Sequence, residues 1–178
     1  MAKTALSDGI THIAASPHTL NGIYENALPK IEKHLGRLKA KLAESEIPLH
    51  LYCGADVHLC AGMARRIENG EITTINNNGR YFLLEFPNYA LPGGYEEEIF
   101  QLGIIGVIPV ITHPERIPIF HYDLCALYDL ISMGCLVQIT AQSITGAFGR
   151  EVMALTHKML KLRQIGRASC RERVCHRV

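Results

Sequence analysis

The feature that most constrains the fold of this chain is a regular alternation of short apolar runs with longer amphipathic segments. In the segment 25–44, leucine and isoleucine recur every three or four residues, which predicts a helix with one buried face. Short, almost continuously apolar runs indicate parallel strands that helices cover on both faces. Five runs are predicted strands: 10–15, 49–53, 81–86, 107–112 and 136–140.

The length of the chain leaves two α/β architectures open. With 178 residues, it has room for about five of the eight βα units of a full barrel, and it suits a single domain. An incomplete barrel and an open doubly wound sheet both fit this order of elements. No Gly-x-Gly-x-x-Gly follows the first strand, so a dinucleotide site has no support.

The charge and hydropathy of the chain exclude several classes of function. Lysine and arginine number 18 and aspartate and glutamate 17, giving a net charge of +1, which is not typical of a nucleic-acid-binding protein. No apolar run approaches the ~18 residues of a membrane span, and residues 1–9 lack the apolar core of a secretory signal. The cysteines before residue 166 form no Cys-x-x-Cys pair. We therefore expect reduced thiols in a cytoplasmic protein without membrane insertion.

The two ends of the chain differ from its body. Residues 166–178 carry four arginines and two cysteines, with neither strand alternation nor sustained helical periodicity. We interpret 166–178 as a non-native tail and 1–165 as a partial domain, the alternative being a basic tail that binds an acidic partner. Residues 1–7 resemble the end of a helix, so we expect a helix and a strand before them in the intact protein.

Side chains of metal-ligating types stand at the ends of four predicted strands. They recur at intervals of about one βα unit: His18, Asp56, Glu85 and His113. The carboxyl ends of the strands of a parallel barrel open on one face, so we expect these side chains to converge. Imidazole and carboxylate ligands suit zinc, manganese or iron. Carboxylates that bridge two such metals are used to activate water for phosphate ester hydrolysis.

Simpler explanations exist for the residues taken singly. His18 could cap a loop, Asp56 could be an ordinary loop residue, and an ion pair with Glu115 could explain Arg116. As a phosphate ligand, the planar guanidinium of Arg116 matches two oxygens of a phosphoryl group. No Gly-x-Ser-x-Gly surrounds Ser143, so we interpret its loop as a wall of the site and not as the source of a nucleophile.

Several segments together resemble one known family in order and spacing. They are Ser16-Pro17-His18, residues 21–26, Leu83-Leu-Glu-Phe-Pro87, Thr112-His-Pro-Glu-Arg116, and residues 138–143 with 146–149. Over about residues 5–165, the chain is similar to the metal-dependent bacterial protein-tyrosine phosphatases of the polymerase and histidinol phosphatase (PHP) superfamily. These proteins are associated with capsule and exopolysaccharide biosynthesis. The resemblance implies an α/β fold that is an incomplete, distorted (β/α)7 TIM-like barrel.

The resemblance also implies a mechanism. His18, Glu85 and His113 correspond to metal ligands, and Asp56 stands where the family usually has a glutamate. Arg116 corresponds to the phosphate-binding arginine. The expected cofactor is a set of two or three divalent ions, Mn²⁺ above all, and the expected substrate is phosphotyrosine on a protein, namely a cognate bacterial tyrosine kinase.

Two family motifs that supply metal ligands have no counterpart in this chain. They are a His-x-His on the first strand and an Asp-x-His on a late strand. We therefore expect this fragment to be impaired. Two alternatives stay open: a PHP phosphoesterase that acts on a small phosphate such as histidinol phosphate, and a non-catalytic fragment or binding module.

Overall fold

The computed structural model of the protein describes residues 2–162. The chain divides into two compact units, and the boundary between them lies between Leu83 and Leu84. The predicted tail, 166–178, falls outside the described residues. No helix within residues 2–162 combines the length and the apolar character needed to cross a lipid bilayer.

The first unit contains short parallel strand pairs and three helices. Its elements are α1 (Ala2–Ser7), β1 (His12–Ala15), β2 (His18–Thr19), α2 (Leu28–Glu44), β3 (His50–Cys53), β4 (Asp56–His58) and α3 (Met63–Glu68). Strands β1 and β3 are parallel, with His12 opposite His50. Strands β2 and β4 are also parallel. A 3₁₀ turn (Ile75–Asn77) leads to β5 (Tyr81–Glu85), within which the boundary between the units falls.

Helix α2 shows how the sequence sets a local element. Ile31, Leu35 and Leu42 are buried on one face, as their spacing predicts, although Leu38 is 46% exposed. The helix begins at Leu28 and not at residue 25. Pro29 has no N–H to donate and is tolerated only in the first turn, which fixes the start of the helix.

The second unit continues the alternation. After β5 come α4 (Tyr95–Ile104), β6 (Ile108–Thr112), α5 (Pro118–Tyr122), α6 (Leu124–Ser132), β7 (Leu136–Gln138), α7 (Ala141–Ile144) and α8 (Arg150–Lys161). The strand order is β5-β6-β7, and β6 and β7 are parallel with Thr112 opposite Gln138. A 3₁₀ turn (Pro114–Arg116) follows β6. Fully buried Leu127 and Leu130 anchor α6 in the core.

The predicted α/β class with parallel strands is confirmed, and the finer (β/α)7 barrel stays a prediction. The expectation that residues 10–15 form a strand buried on both faces is wrong. In β1, His12 and Ala14 are exposed and the other two residues are half-buried. Strands β2 and β4 were not predicted, because two or three residues are too few to show a periodicity.

Candidate metal centre

A histidine and an aspartate face each other in the first unit. The parallel register of β2 and β4 places His18 opposite Asp56, and the backbone N–H of Asp56 donates to the carbonyl of Pro17 at 2.9 Å. The Nδ1 atom of His18 lies 3.5 Å from Oδ2 of Asp56. The aspartate side chain is fully buried, whereas the imidazole is 37% exposed. Buried carboxylates are paired or coordinate metals, and this pair offers both of those arrangements.

The segment after β2 folds back onto that strand. Asn26 donates its side-chain N–H to the carbonyl of His18 at 2.8 Å, and its backbone N–H donates to the hydroxyl of Thr19 at 3.0 Å. Asn21 accepts bonds from the two N–H groups of Ile23 and Tyr24. These bonds use the main chain of His18 and not its ring, so they position the residue without occupying the imidazole. The family resemblance of residues 21–26 does not predict this role of Asn26, because such hydrogen bonds show no periodic pattern in the sequence.

A glutamate and a histidine form the matching pair in the second unit. Oε1 of Glu85, the last residue of β5, lies 3.5 Å from Nε2 of His113, which directly follows β6. Both side chains are largely buried, with 18% and 10% of their surface exposed. The hydroxyl of Thr112 donates to the carbonyl of Leu84 at 3.4 Å, which ties the ends of these two neighbouring strands together.

The backbone of His113 is left-handed. Its φ of 40° and ψ of 47° are uncommon for a residue with a side chain. The conformation ends β6 and turns the chain into the 3₁₀ turn Pro114–Arg116, while the N–H of His113 donates to the carbonyl of Gln138 at 2.8 Å. Strained backbone of this kind concentrates at functional sites, so the observation favours a ligand role for His113 over a loop role.

Arg116 and Glu115 have different surroundings. The guanidinium carbon of Arg116 lies 4.6 Å from the centre of the Phe148 ring, a cation–π arrangement. The carboxylate of Glu115 is fully buried and accepts bonds from the N–H of Thr140 at 2.8 Å and the hydroxyl of Ser143 at 2.7 Å. These bonds, and not an ion pair with Arg116, hold Glu115. The hydroxyl of Ser143 is committed as a donor to a carboxylate, which agrees with the interpretation of its loop as a wall.

The two buried cysteines are not placed for nucleophilic chemistry. No disulfide links the four cysteines of the described residues. Burial raises the pKa of Cys135 to about 12. Burial also raises the pKa of Cys53, against a smaller lowering by a hydrogen bond with Thr73. The thiolate is the reactive form of cysteine, so neither buried residue supplies a nucleophile near neutral pH.

The structure thus brings the predicted ligands together as two pairs. His18 pairs with Asp56 in the first unit, and Glu85 pairs with His113 in the second. Each pair joins an imidazole nitrogen to a carboxylate oxygen, the donor types that bind transition metals.

A family model and individual known proteins both match most of this chain. A family model described as capsular polysaccharide synthesis, CpsB/CapC, matches residues 1–170. The CapC protein of Staphylococcus aureus is 36% identical over 160 residues, which is 90% of this chain and 62% of that protein. The tyrosine-protein phosphatase YwqE of Bacillus subtilis is 31% identical over 161 residues, 90% of this chain and 63% of YwqE. The chain therefore spans about three fifths of the length of these relatives.

A solved structure is also similar to this chain. It comes from work on YwqE of Bacillus subtilis and CpsB of Streptococcus pneumoniae, described as metal-dependent tyrosine phosphatases. The TM-score is 0.88 at 30% identity, and the match covers 95% of this chain and 68% of the other. The likeness therefore includes residues of both compact units.

Proposed function

This chain belongs to the CpsB/CapC family of capsular polysaccharide synthesis, and from that premise we propose that it hydrolyses phosphotyrosine on proteins with the help of divalent metal. The proposed substrate is a phosphorylated tyrosine kinase that takes part in capsule assembly, and the proposed location is the cytoplasm. The absence of a disulfide among the four cysteines of residues 2–162 fits that reducing compartment.

We assign the metal to the four residues that the sequence singled out. His18 and Asp56 each offer one ligand atom in the first unit, and Glu85 and His113 each offer one in the second. The observation that carries this assignment is the repetition of one geometry, an imidazole nitrogen 3.5 Å from a largely buried carboxylate, in both pairs. A carboxylate away from water needs a compensating positive charge, which a divalent cation supplies. The mixed nitrogen and oxygen donors suit Mn²⁺, the ion we propose.

Arg116 completes the proposed site. A bound divalent metal supplies Lewis acidity toward a phosphoryl oxygen and lowers the pKa of a coordinated water. The guanidinium of Arg116 would bind two phosphoryl oxygens and offset the charge that builds up on them during in-line attack. The ring of Phe148 beneath the guanidinium restricts its orientation. The leaving phenolate of tyrosine has a conjugate acid with a pKa near ~10, so it departs without strong acid assistance.

Substrate and metal preference test this proposal directly. The chain is loaded with Mn²⁺ and its turnover of a phosphotyrosine peptide is compared with that of the matching phosphoserine peptide and of histidinol phosphate. We expect slow turnover, in keeping with the impaired activity expected from the sequence. The phosphotyrosine peptide should be preferred, and the activity should vanish with a chelator and return with Mn²⁺. Preference for histidinol phosphate would assign the chain to small-phosphate hydrolysis. Failure to retain any divalent metal by elemental analysis would support the non-catalytic binding module instead.

A further inference from the structure

The buried carboxylate of Glu115 occupies an unusual position in the second unit. It lies in the middle of the 3₁₀ turn Pro114–Arg116 and is fully buried. Oε1 receives both of its hydrogen bonds, whereas Oε2 is buried without a hydrogen-bond partner among the described residues. The carbonyl of Glu115 is also engaged, at 2.8 Å from Nε2 of His121. A carboxylate is costly to bury, so its retention in a turn next to Arg116 calls for an explanation.

The two donors to Glu115 lie in the segment that also carries the ring beneath Arg116. Thr140 directly precedes the short helix α7, Ser143 lies within it, and Phe148 follows in the connection to α8. Helix α8 packs against both α7 and the 3₁₀ turn of Glu115. The segment 140–148 is therefore joined to the turn at two points, through the carboxylate of Glu115 and through the stacking of Arg116 on Phe148.

We propose that Glu115 is a positioning residue for Arg116, which rests on the phosphate-binding role given to Arg116 above. Glu115 fixes the backbone from which Arg116 extends, and it holds the segment that carries Phe148 at the distance where the ring supports the guanidinium. Both ends of the arginine side chain are thus set by one buried carboxylate. Ser143 takes part in this positioning as one of the two hydrogen-bond donors to Glu115.

Glu115→Gln tests whether Glu115 acts through its hydrogen bonds or through its negative charge, because glutamine keeps the acceptor oxygen and loses the charge. In Glu115→Gln the remaining carbonyl oxygen accepts from Thr140 and Ser143, and the amide nitrogen replaces the oxygen that has no partner. We expect Glu115→Gln to keep Arg116 in place and Glu115→Ala to release it. Ser143→Ala removes one of the two bonds and serves as the milder variant. Thr145→Ala is the matched control, because the exposed hydroxyl of Thr145 donates only within its own loop, to the carbonyl of Gln142.

The first test is spectroscopic and needs neither metal nor activity. The Nε–H proton of Arg116 lies near the Phe148 ring, so its NMR signal should carry a ring-current shift in the folded chain. We expect Glu115→Ala and Ser143→Ala to move this signal toward its random-coil position, and Glu115→Gln and Thr145→Ala to leave it in place. If Glu115→Ala does not fold, the Arg116 signal of Ser143→Ala tests the inference instead. An unchanged Arg116 signal in folded Ser143→Ala or Glu115→Ala overturns the inference.

The second test is kinetic and separates this inference from the proposed function. With p-nitrophenyl phosphate as the probe, Glu115→Ala should lower kcat/KM by about ten- to a hundredfold at unchanged Mn²⁺ affinity, because small displacements of a positioning group have effects of that size. Combined with Arg116→Lys, it should cause little further loss, since both act through one group. Additive losses overturn the inference. A shifted Arg116 signal in a chain whose parent is inert upholds positioning and refutes the proposed function.

Discussion

The Nε2 atom of His113, which follows β6, lies 3.5 Å from Oε1 of Glu85, the last residue of β5. The contact exists because β5 and β6 are hydrogen-bonded neighbours and because the left-handed backbone of His113 turns the chain at that point. His18 and Asp56 likewise face each other across the neighbouring strands β2 and β4, and Asn26 adds a hydrogen bond to the main chain of His18.

Asp56→Asn should weaken metal binding while the chain stays folded. The amide keeps the shape of the buried side chain but loses the negative charge that favours a divalent cation. We expect the affinity for Mn²⁺, measured by competition with a fluorescent chelator, to fall by at least roughly tenfold. His34→Asn, an exposed change on α2, is the control and should leave the affinity unchanged. Equal affinities for the two variants would remove Asp56 from the ligand set.

Arg116→Lys should lower phosphatase activity without changing the metal content. Lysine keeps the charge but loses the two-pronged geometry. Charge-assisted hydrogen bonds contribute about 1.5–3 kcal/mol, so kcat/KM should fall by roughly ten- to two-hundredfold. Arg150→Lys, at an exposed position of α8, is the matched control. If only thermal stability falls, with activity per folded molecule retained, Arg116 has a structural role instead.

Leu127→Ala should destabilise the protein strongly, and Tyr128→Ala should not. Leu127 is fully buried in α6, whereas its neighbour Tyr128 is 58% exposed. Removing a buried leucine side chain leaves a cavity and costs about 2–5 kcal/mol. The exposed change should stay within about 0.5 kcal/mol. Urea unfolding of both variants gives the two free energies of unfolding, and a loss of less than about 1 kcal/mol for Leu127→Ala would contradict the packing described for α6.

The stability of the protein should depend on pH through Cys135 in alkaline solution. Burial raises the pKa of this thiol to about 12, so between pH 9 and pH 12 the unfolded chain loses its proton while the folded chain keeps it. The folded state then binds more protons, and the free energy of unfolding falls as the pH rises. At pH 10 the loss from this one group is about 1.4 kcal/mol.

Urea unfolding at pH 7.5 and pH 10 tests this dependence. Cys135→Ala should lose less stability over that interval than the parent chain, by the amount just given. Cys125→Ala is the control, since Cys125 is exposed. The same alkaline loss in all three proteins would show that other groups cause it.

The main elements of the fold could be predicted from the sequence because their signals are long or sharply bounded. The spacing of Ile31, Leu35 and Leu42 predicted the buried face of α2, and Gly134 correctly marked the end of α6 near Ser132. Short elements gave no such signal. Helix α5, with five residues, and helix α7, with four, contain too few positions for a helical period to appear.

The ligand set His18, Asp56, Glu85 and His113 stays a prediction, and its placement at strand ends holds only in part. Glu85 ends β5 and His113 follows β6, whereas His18 and Asp56 begin the unpredicted strands β2 and β4. The partners of Glu115 were not predictable, because Thr140 and Ser143 come from a segment 25 and 28 residues later. Hydrogen bonds of that kind leave no periodic trace in a sequence. The simpler alternative, an ion pair between Glu115 and Arg116, rested on their adjacency in the sequence. In the 3₁₀ turn the Glu115 carboxylate instead accepts from Thr140 and Ser143, and the guanidinium of Arg116 lies against Phe148.

The left-handed backbone at position 113 and the proposed ligand role of the side chain favour different residue types there. The turn alone would accept glycine or asparagine more readily than any other residue, since these adopt a positive φ at little cost. An imidazole there costs roughly 1–3 kcal/mol of strain. This cost is explained if the ring contributes to the site, as the proposed ligand role requires. We therefore expect a relative with the same turn, but with glycine or asparagine in place of His113, to have lost the activity of this site.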